Sequence, residues 1–374
     1  MPENAYVSIC QKGLEEVLSK EIANGGGDIT GSQTSTVFFN ADKKSLYRLN
    51  MSLRTALSIL MPLKEFTANN YDELYFKTRK INWHKLFSPD KNIRIDVKGR
   101  SRSLNHSQFA MHRIKDAISD AFRKLANNVR PSVDKENPDI RIVAYLNENK
   151  TTIYLDSSGV PLFKRGYRLP GYDAPIKEDL ASGIILLSGW DGSKNLLDPF
   201  CGSATFLIEA MMIANNIPPN LERNFSFFNW FDFDKEIYEN EKALLKEKIS
   251  PKQVKLQGYE IDKTAYMKTL TLLKKNPLFK DIRVFNEDFR KSREDFNDWF
   301  IITNPPYNER MKEEDINGLY KDFGDFLKQK CKDSTAYVLT ANLEAAKHFG
   351  LRSSKRTILY NGAMEARLIE FKMY

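Results

Sequence analysis

Four short stretches in the second half of the chain combine residue types that chemistry uses. The sharpest is Ile301-Ile302-Thr303-Asn304-Pro305-Pro306-Tyr307. Two consecutive prolines fix the backbone and remove two N–H donors. Asn304 and the Pro305 carbonyl are then left as acceptors facing outward, with the Tyr307 ring beside them. Two acceptors and an aromatic face suit an exocyclic NH2 on a planar base, the acceptors holding both amine protons while the base stacks on the ring. Such an amine is a poor nucleophile because its lone pair is delocalised. Hydrogen bonds from both N–H groups favour a more tetrahedral nitrogen with its lone pair aimed at an electrophile. Read alone, the stretch is also compatible with a proline-rich loop after a buried strand.

The other three stretches precede it. Leu196-Leu197-Asp198-Pro199-Phe200-Cys201-Gly202-Ser203-Ala204-Thr205 reads as a strand, a tight turn of small residues and a helix start. Such a turn admits a ligand close to the backbone, and a helix N-terminus offers free N–H groups. No Gly-Lys-Ser/Thr follows and no G-x-G-x-x-G is present, which argues against NTP hydrolysis and hydride transfer. Glu260, in Gly258-Tyr259-Glu260-Ile261-Asp262, ends a candidate strand where a carboxylate can accept both hydroxyls of a ribose. Asp288, in Asn286-Glu287-Asp288, follows the next strand and is placed to accept from an adenine amino group. Each has a plain reading as a polar turn; the ordered set is what points to a site.

The elements that must position these residues alternate. Candidate strands are Asn195–Leu197, Lys255–Tyr259, Ile282–Phe285, Phe300–Thr303, Ala336–Leu339, Thr357–Tyr360 and Ala366–Phe371. Helices Ala204–Ala214, Thr264–Lys275 and Leu319–Cys331 fall between them. The alternation predicts a doubly wound, mainly parallel α/β sheet. The last two strands are joined by about five residues, too few for a parallel crossover, so they form an antiparallel hairpin.

Residues 1–65 read as a small α+β unit: strands Ala5–Ile9 and Thr36–Asn40, and helices Gly13–Ile22 and Lys44–Met51, the latter leading into the apolar run Leu57–Met61. Residues 66–157 form a second α+β unit, with a short helix at Trp83–Phe87, strands Asn92–Lys98, Ile140–Leu146 and Thr151–Asp156, and a helix at Gln108–Leu125 whose Met111, Ile114, Ile118 and Phe122 share one stripe. Residues 158–175, rich in Gly, Pro and Tyr, read as a linker, and the alternating domain spans 176–374.

The 374 residues are 41% hydrophobic and 28% charged, as in globular proteins. No run suits a membrane span, the N-terminus lacks a secretory pattern, and three scattered cysteines exclude a disulfide framework, so the expected location is cytoplasmic. The net charge of +8 is uneven. Residues 1–175 hold 27 basic and 19 acidic side chains, and residues 176–374 hold 30 of each. The surplus peaks between Lys91 and Arg130, suggesting that the first half grips a polyanion.

At this point the chain resembles a known family. Residues 176–374 look like a class I S-adenosylmethionine-dependent methyltransferase with the Asn-Pro-Pro-Tyr signature of amino methyltransferases. The whole chain resembles the THUMP-domain RNA guanine-N2 methyltransferases of the large-subunit rRNA (RlmL-like) branch. Lys164–Arg168, Ala174–Glu178, Arg223–Phe227, Asn304–Arg310 and Tyr360–Ala363 also match. The resemblance implies a Rossmann-like domain with a seven-stranded, mainly parallel sheet whose last strand is antiparallel, preceded by ferredoxin-like and THUMP domains. It implies S-adenosylmethionine as cofactor, with Asp198, Phe200 and Gly202 on its methionine side, Glu260 on the ribose and Asp288 on the adenine. Asn304, Pro305 and Tyr307 hold the target base, Asn304 also bordering the cofactor. Where the family commonly has a second glycine stands Ala204, whose methyl is expected to tighten the turn. A second methyltransferase domain fused in one branch is not expected in a chain ending at Tyr374.

The expected partner is RNA, 23S rRNA first and tRNA second, met by Lys98, Arg100, Arg102, His106, Arg113, Lys164, Arg165 and Arg168. No membrane and no metal are expected, since the four histidines lack ligand spacing. A monomer is the favoured state. Cys201 is not expected to act as a nucleophile, and Phe225, Phe227, Phe228, Trp230 and Phe231 read first as core. Rival readings are methylation of adenine N6 or cytosine N4, and an RNA-binding assembly factor that has lost catalysis.

Overall fold

The computed structural model describes residues 4–123, 129–168, 176–307 and 313–374. The end of the expected helix at 124–125, residues 169–175 of the expected linker and residues 308–310 of a matching stretch lie outside them. The chain forms two compact units, one of Met1–Cys10, Ser19–Leu162 and Asn220–Leu244, the other of Gln11–Leu18, Phe163–Pro219 and Leu245–Tyr374. This division differs from the expected one. Asn220–Leu244 packs with the N-terminal residues, and Phe163 onward, expected as linker, packs with the C-terminal ones.

In chain order the first elements are β1 (Ala5–Cys10), α1 (Glu15–Asn24), β2 (Asp28–Gln33), β3 (Thr36–Asn40), α2 (Lys43–Ser52), β4 (Ala56–Thr67), α3 (Tyr71–Arg79), β5 (Asn92–Arg100), α4 (Ser107–Arg123), β6 (Ser132–Val133), β7 (Ile140–Asn147) and β8 (Lys150–Asp156). The two expected α+β units share one eight-stranded sheet, in the order β2-β3-β1-β4-β8-β7-β5-β6. The apolar run at Leu57 is the cause. It belongs to a twelve-residue strand that pairs with β1 through its first half and with β8 beyond it, with register shifts along both pairings. On α4 the expected stripe is buried at Ile114, Ile118 and Phe122, joined by Ala110 and Ala117. The aromatic cluster is core: the Tyr47 and Phe227 rings stack at 4.6 Å, and Phe225, Phe227 and Trp230 are buried, while Phe231 is exposed.

The second unit contains α5 (Glu178–Ser188), β9 (Leu196–Asp198), α6 (Thr205–Ala214), β10 (Leu256–Tyr259), α8 (Lys263–Lys275), β11 (Ile282–Phe285), β12 (Phe300–Thr303), α9 (Glu313–Lys330), β13 (Thr335–Thr340), β14 (Lys355–Asn361) and β15 (Met364–Lys372), while α7 (Lys235–Glu247), between α6 and β10 in the chain, belongs to the first unit as far as Leu244. The sheet runs β11-β10-β9-β12-β13-β15-β14. The first five are parallel, and β15 is antiparallel to both neighbours. Both the seven-stranded, mainly parallel sheet with its antiparallel last strand and the closing hairpin are therefore as expected. The strand cores read apolar on both faces because helices cover both sides of a parallel sheet. Ile301, Ile302, Leu196 and Leu197 are all fully buried.

Candidate active site

Asp198 ends β9, Glu260 follows β10, Asp288 lies three residues beyond β11, and Asn304 follows β12. These strands are neighbours in the order β11-β10-β9-β12 and all parallel, so the four residues line one edge of the sheet in the order 288, 260, 198, 304. Ligands of open α/β sheets bind at this edge. A crevice of ≈ 980 Å³ opens there, lined by Asp198, Phe200, Gly202, Glu260, Asp288, Asn304, Pro305 and Tyr307. Every residue expected to touch cofactor or target base is among its walls.

The turn after β9 is built for close approach. Cys201 N–H donates to the Tyr259 carbonyl at 3.0 Å, and Ala204 N–H to the Cys201 carbonyl at 2.7 Å. Gly202 has φ +50°, and a Cβ built on it would meet nothing within 4 Å, so any side chain there would project into open space. Ala204 adopts the same left-handed region at φ 56° with its methyl buried. Ala204 is thus a strained residue, at a cost of about 1–2 kcal/mol. Sequence reading missed Gly258. A Cβ there would sit 2.7 Å from Cys201 Cβ, so only glycine lets the turn lie over β10. Cys201 itself is buried, and burial pushes its thiol well above the usual range. That is the opposite of an activated nucleophile.

Asp198 is buried, and one of its oxygens accepts from Thr303 Oγ1 at 2.6 Å and Phe200 N–H at 3.2 Å. Burial nevertheless pushes its pKa up to about 7, the neighbouring Glu260 adding to the effect against these two bonds. Glu260 accepts from Asp262 N–H at 2.8 Å and is raised by burial as well. Asp288 is held down mainly by Arg290, whose Nε lies 3.0 Å from both carboxylate oxygens. Arg290 also reaches Asp322 at 2.9 Å. Thr303 and Arg290 were not anticipated, and both hold anticipated carboxylates in place.

Asn304 Oδ1 is buried with no hydrogen-bond partner among the described residues. An unpaired buried acceptor costs roughly 1–3 kcal/mol, so a donor is expected to meet it. The Tyr307 hydroxyl accepts from Asn361 Nδ2 at 2.7 Å.

The residues expected on RNA divide. Lys98, Arg100, Arg102 and His106 are exposed around the end of β5 and the loop into α4, the Arg102 side chain 93% exposed with Glu148 3.8 Å away. Arg113 is engaged by Asp72 at 2.7 Å and covers the Tyr75 ring. Lys164 is exposed; Arg168 is paired with Glu178 at 3.3 Å and donates to the Ile176 carbonyl. Arg165 is a correction. Its side chain is 1% exposed and pairs at 2.9 Å with Glu209, itself fully buried, so it has no face for a phosphate. Among the described residues no cluster of three His, Cys, Asp or Glu is placed to hold a metal, and no helix is long and apolar enough to cross a membrane.

Residues 165–369 match the family described as RMKL-like, methyltransferase domain. The chain belongs to that family. Residues 68–156 match the THUMP domain and 6–60 the RlmL ferredoxin-like domain. A provisionally named RNA methyltransferase of Synechocystis sp. is 34% identical over 99% of this chain and 97% of its own length. A Cellvibrio japonicus protein named ribosomal RNA large subunit methyltransferase K/L is 34% identical over 98% of this chain; the chain spans 51% of that protein's length. The crystal structure of SMU.472, a provisionally assigned methyltransferase complexed with SAH, superimposes with a TM-score of 0.89 at 26% identity, covering 99% of this chain and 98% of that one.

Proposed function

We propose that the chain transfers a methyl group from S-adenosylmethionine to the exocyclic N2 amine of a guanine in RNA, with 23S rRNA as substrate. The observation that carries the reading is the buried Asn304 Oδ1 at the end of β12, which has no partner among the described residues and shares one crevice with Glu260 and Asp288. Asp198, Phe200 and Gly202 would hold the methionine portion of S-adenosylmethionine, Glu260 the ribose and Asp288 the adenine. When bound, the cofactor supplies a methyl group on a positively charged sulfur. Asn304 Oδ1 and the Pro305 carbonyl accept the two amine N–H groups, and the Tyr307 ring stacks on the base. Positioning is the main task, since the electrophile is already activated. A base inside a duplex cannot reach this crevice, so the nucleotide is flipped or unpaired. The names of the Synechocystis and Cellvibrio relatives support an RNA substrate, the second a large-subunit one.

The deciding experiment supplies methyl-labelled S-adenosylmethionine and separate pools of unmodified large-subunit rRNA, small-subunit rRNA and tRNA. Each pool is digested to nucleosides and read by mass spectrometry. Labelled N2-methylguanosine in the large-subunit pool alone is expected. Label on adenine, or in tRNA, overturns the substrate assignment.

Asp198 makes cofactor affinity depend on pH. The ammonium of the methionine portion favours an ionised carboxylate beside it, and a group with a pKa of about 7 is mostly protonated at pH 6 and mostly ionised at pH 8. Affinity is therefore expected to rise about 4- to 5-fold between those values, the roughly tenfold gain in ionised carboxylate being offset in part by the cofactor's own α-amino group, which begins to lose its proton by pH 8. Calorimetric titration at both pH values checks this, and D198N should flatten the profile. A flat profile in the unaltered protein refutes the role.

The basic end of β5 is expected to hold RNA through phosphates. Replacing Lys98, Arg100 and Arg102 together with Ala should weaken RNA binding at least 10-fold at low salt and lower the salt slope by about 2, each lost contact to a single strand removing roughly 0.7. Filter binding over a salt series reads both numbers.

A further inference from the structure

The crevice has a wall that the eight expected residues do not explain. Strand β14 and strand β15 close a hairpin at the pair Asn361 and Met364, with Gly362 and Ala363 as its two loop residues. Gly362 has φ 67°, a left-handed geometry typical of two-residue hairpin loops. Asn361, Gly362 and Met364 line the crevice with Tyr307, although β14 is the edge strand and lies three places from β12 in the sheet. The contact between them is specific: Asn361 Nδ2 donates to the Tyr307 hydroxyl at 2.7 Å.

Tyr307 needs such support. It stands four residues beyond β12, past two prolines that donate no backbone hydrogen bond. The chain there has no strand ladder to hold it, and the ring is joined to it by two rotatable bonds. The hydroxyl is the far end of that lever, so a bond at that point restrains the direction in which the ring points. The hairpin that supplies the bond is itself braced. Tyr360, next to Asn361, accepts from Lys12 Nζ at 2.7 Å and donates to Glu365 at 2.9 Å. Gly13 packs so closely on β14 that a Cβ there would lie 2.8 Å from the Ile358 carbonyl.

We propose that Asn361 is a positioning residue for methyl transfer: from the hairpin tip it holds the Tyr307 ring in place, and through it the target base. The inference rests on the reading that a base stacks on Tyr307. It requires the contribution of Asn361 to run through one hydroxyl, which a general role in folding the hairpin does not.

The test is a double-mutant cycle of N361A and Y307F, read as single-turnover rate on RNA, with cofactor affinity measured by calorimetry alongside. Each single variant keeps the ring but loses the bond, and a lost neutral hydrogen bond corresponds to a rate decrease of about 5- to 10-fold. The double variant is expected to be no slower than either single one, with cofactor affinity within twofold throughout. N361D, whose carboxylate accepts from the Tyr307 hydroxyl, should recover most of the rate. Additive losses in the double variant, or a loss of cofactor affinity in N361A, overturn the proposal. Y307A tests the underlying reading separately: if removing the ring leaves turnover intact, the stacking assignment fails whatever the cycle shows.

Discussion

Replacing Asn304 with Ala is expected to lower turnover by at least 10³-fold while cofactor affinity changes less than about threefold. The structure puts a buried acceptor with no partner among the described residues at the end of β12, at the opposite end of the row from Asp288. Removing it deletes the group that receives an amine proton as the nitrogen turns tetrahedral. Losing one preorganised polar contact to a developing charge costs roughly 10²–10³ in rate. Here the same contact also orients the nucleophile, so the two effects compound. The cofactor keeps Asp198, Glu260 and Asp288, whose supports come from Thr303, Asp262 and Arg290 rather than from Asn304. N304D retains an oxygen acceptor and should fall between the two. Single-turnover rates with saturating cofactor, beside calorimetric affinities, decide the matter. An N304A enzyme within tenfold of the unaltered rate would falsify the assignment.

The second large effect is on stability. Arg165→Ala is expected to destabilise the C-terminal unit by about 3–5 kcal/mol, because it leaves the buried Glu209 charge without its partner. Glu209 is also the acceptor for Tyr167 Oη at 2.9 Å and Ser182 Oγ at 2.5 Å, so the ion pair ties the segment before residue 169 to α5 and α6. A loss of that size lowers the melting temperature of a unit of this length by roughly 10 °C or more. The double replacement R165M/E209L should melt above R165A, since removing both charges also removes the stranded one. Calorimetric melting measures all three. If R165A melts normally but loses RNA affinity, the side chain belongs on the surface, as its sequence context suggested.

That context shows why some positions were legible and others not. Asp198, Glu260, Asp288 and Asn304 were readable because each follows a short apolar run. In a parallel sheet covered on both faces, the polar residue after such a run can only emerge at the carboxyl edge. α3 had a local signal that went unused: Asn70 caps it, accepting from the Glu73 N–H at 2.9 Å, in the spacing of a capping box. Helix α5 had none. It is buried almost throughout, so apolar residues occur on every side and the helical period disappears. Strand β2 failed for the reverse reason, being a mostly exposed edge strand with little alternation.

The sequence by itself determined the two classes of sheet, the closing hairpin, and the residues standing at four strand ends. These are consequences of local periodicity and of which residue types can follow a buried strand. Only the tertiary structure decided that β4 welds the first two units into one sheet, that Asn220–Leu244 packs with the N-terminal unit, that Arg165 is buried on Glu209, and that Asn361 reaches Tyr307. The two side-chain pairs are 44 and 54 positions apart. Partners that far apart in the chain leave no trace in periodicity or spacing: the chain alone shows that a charge or an amide is present, and packing chooses what it meets.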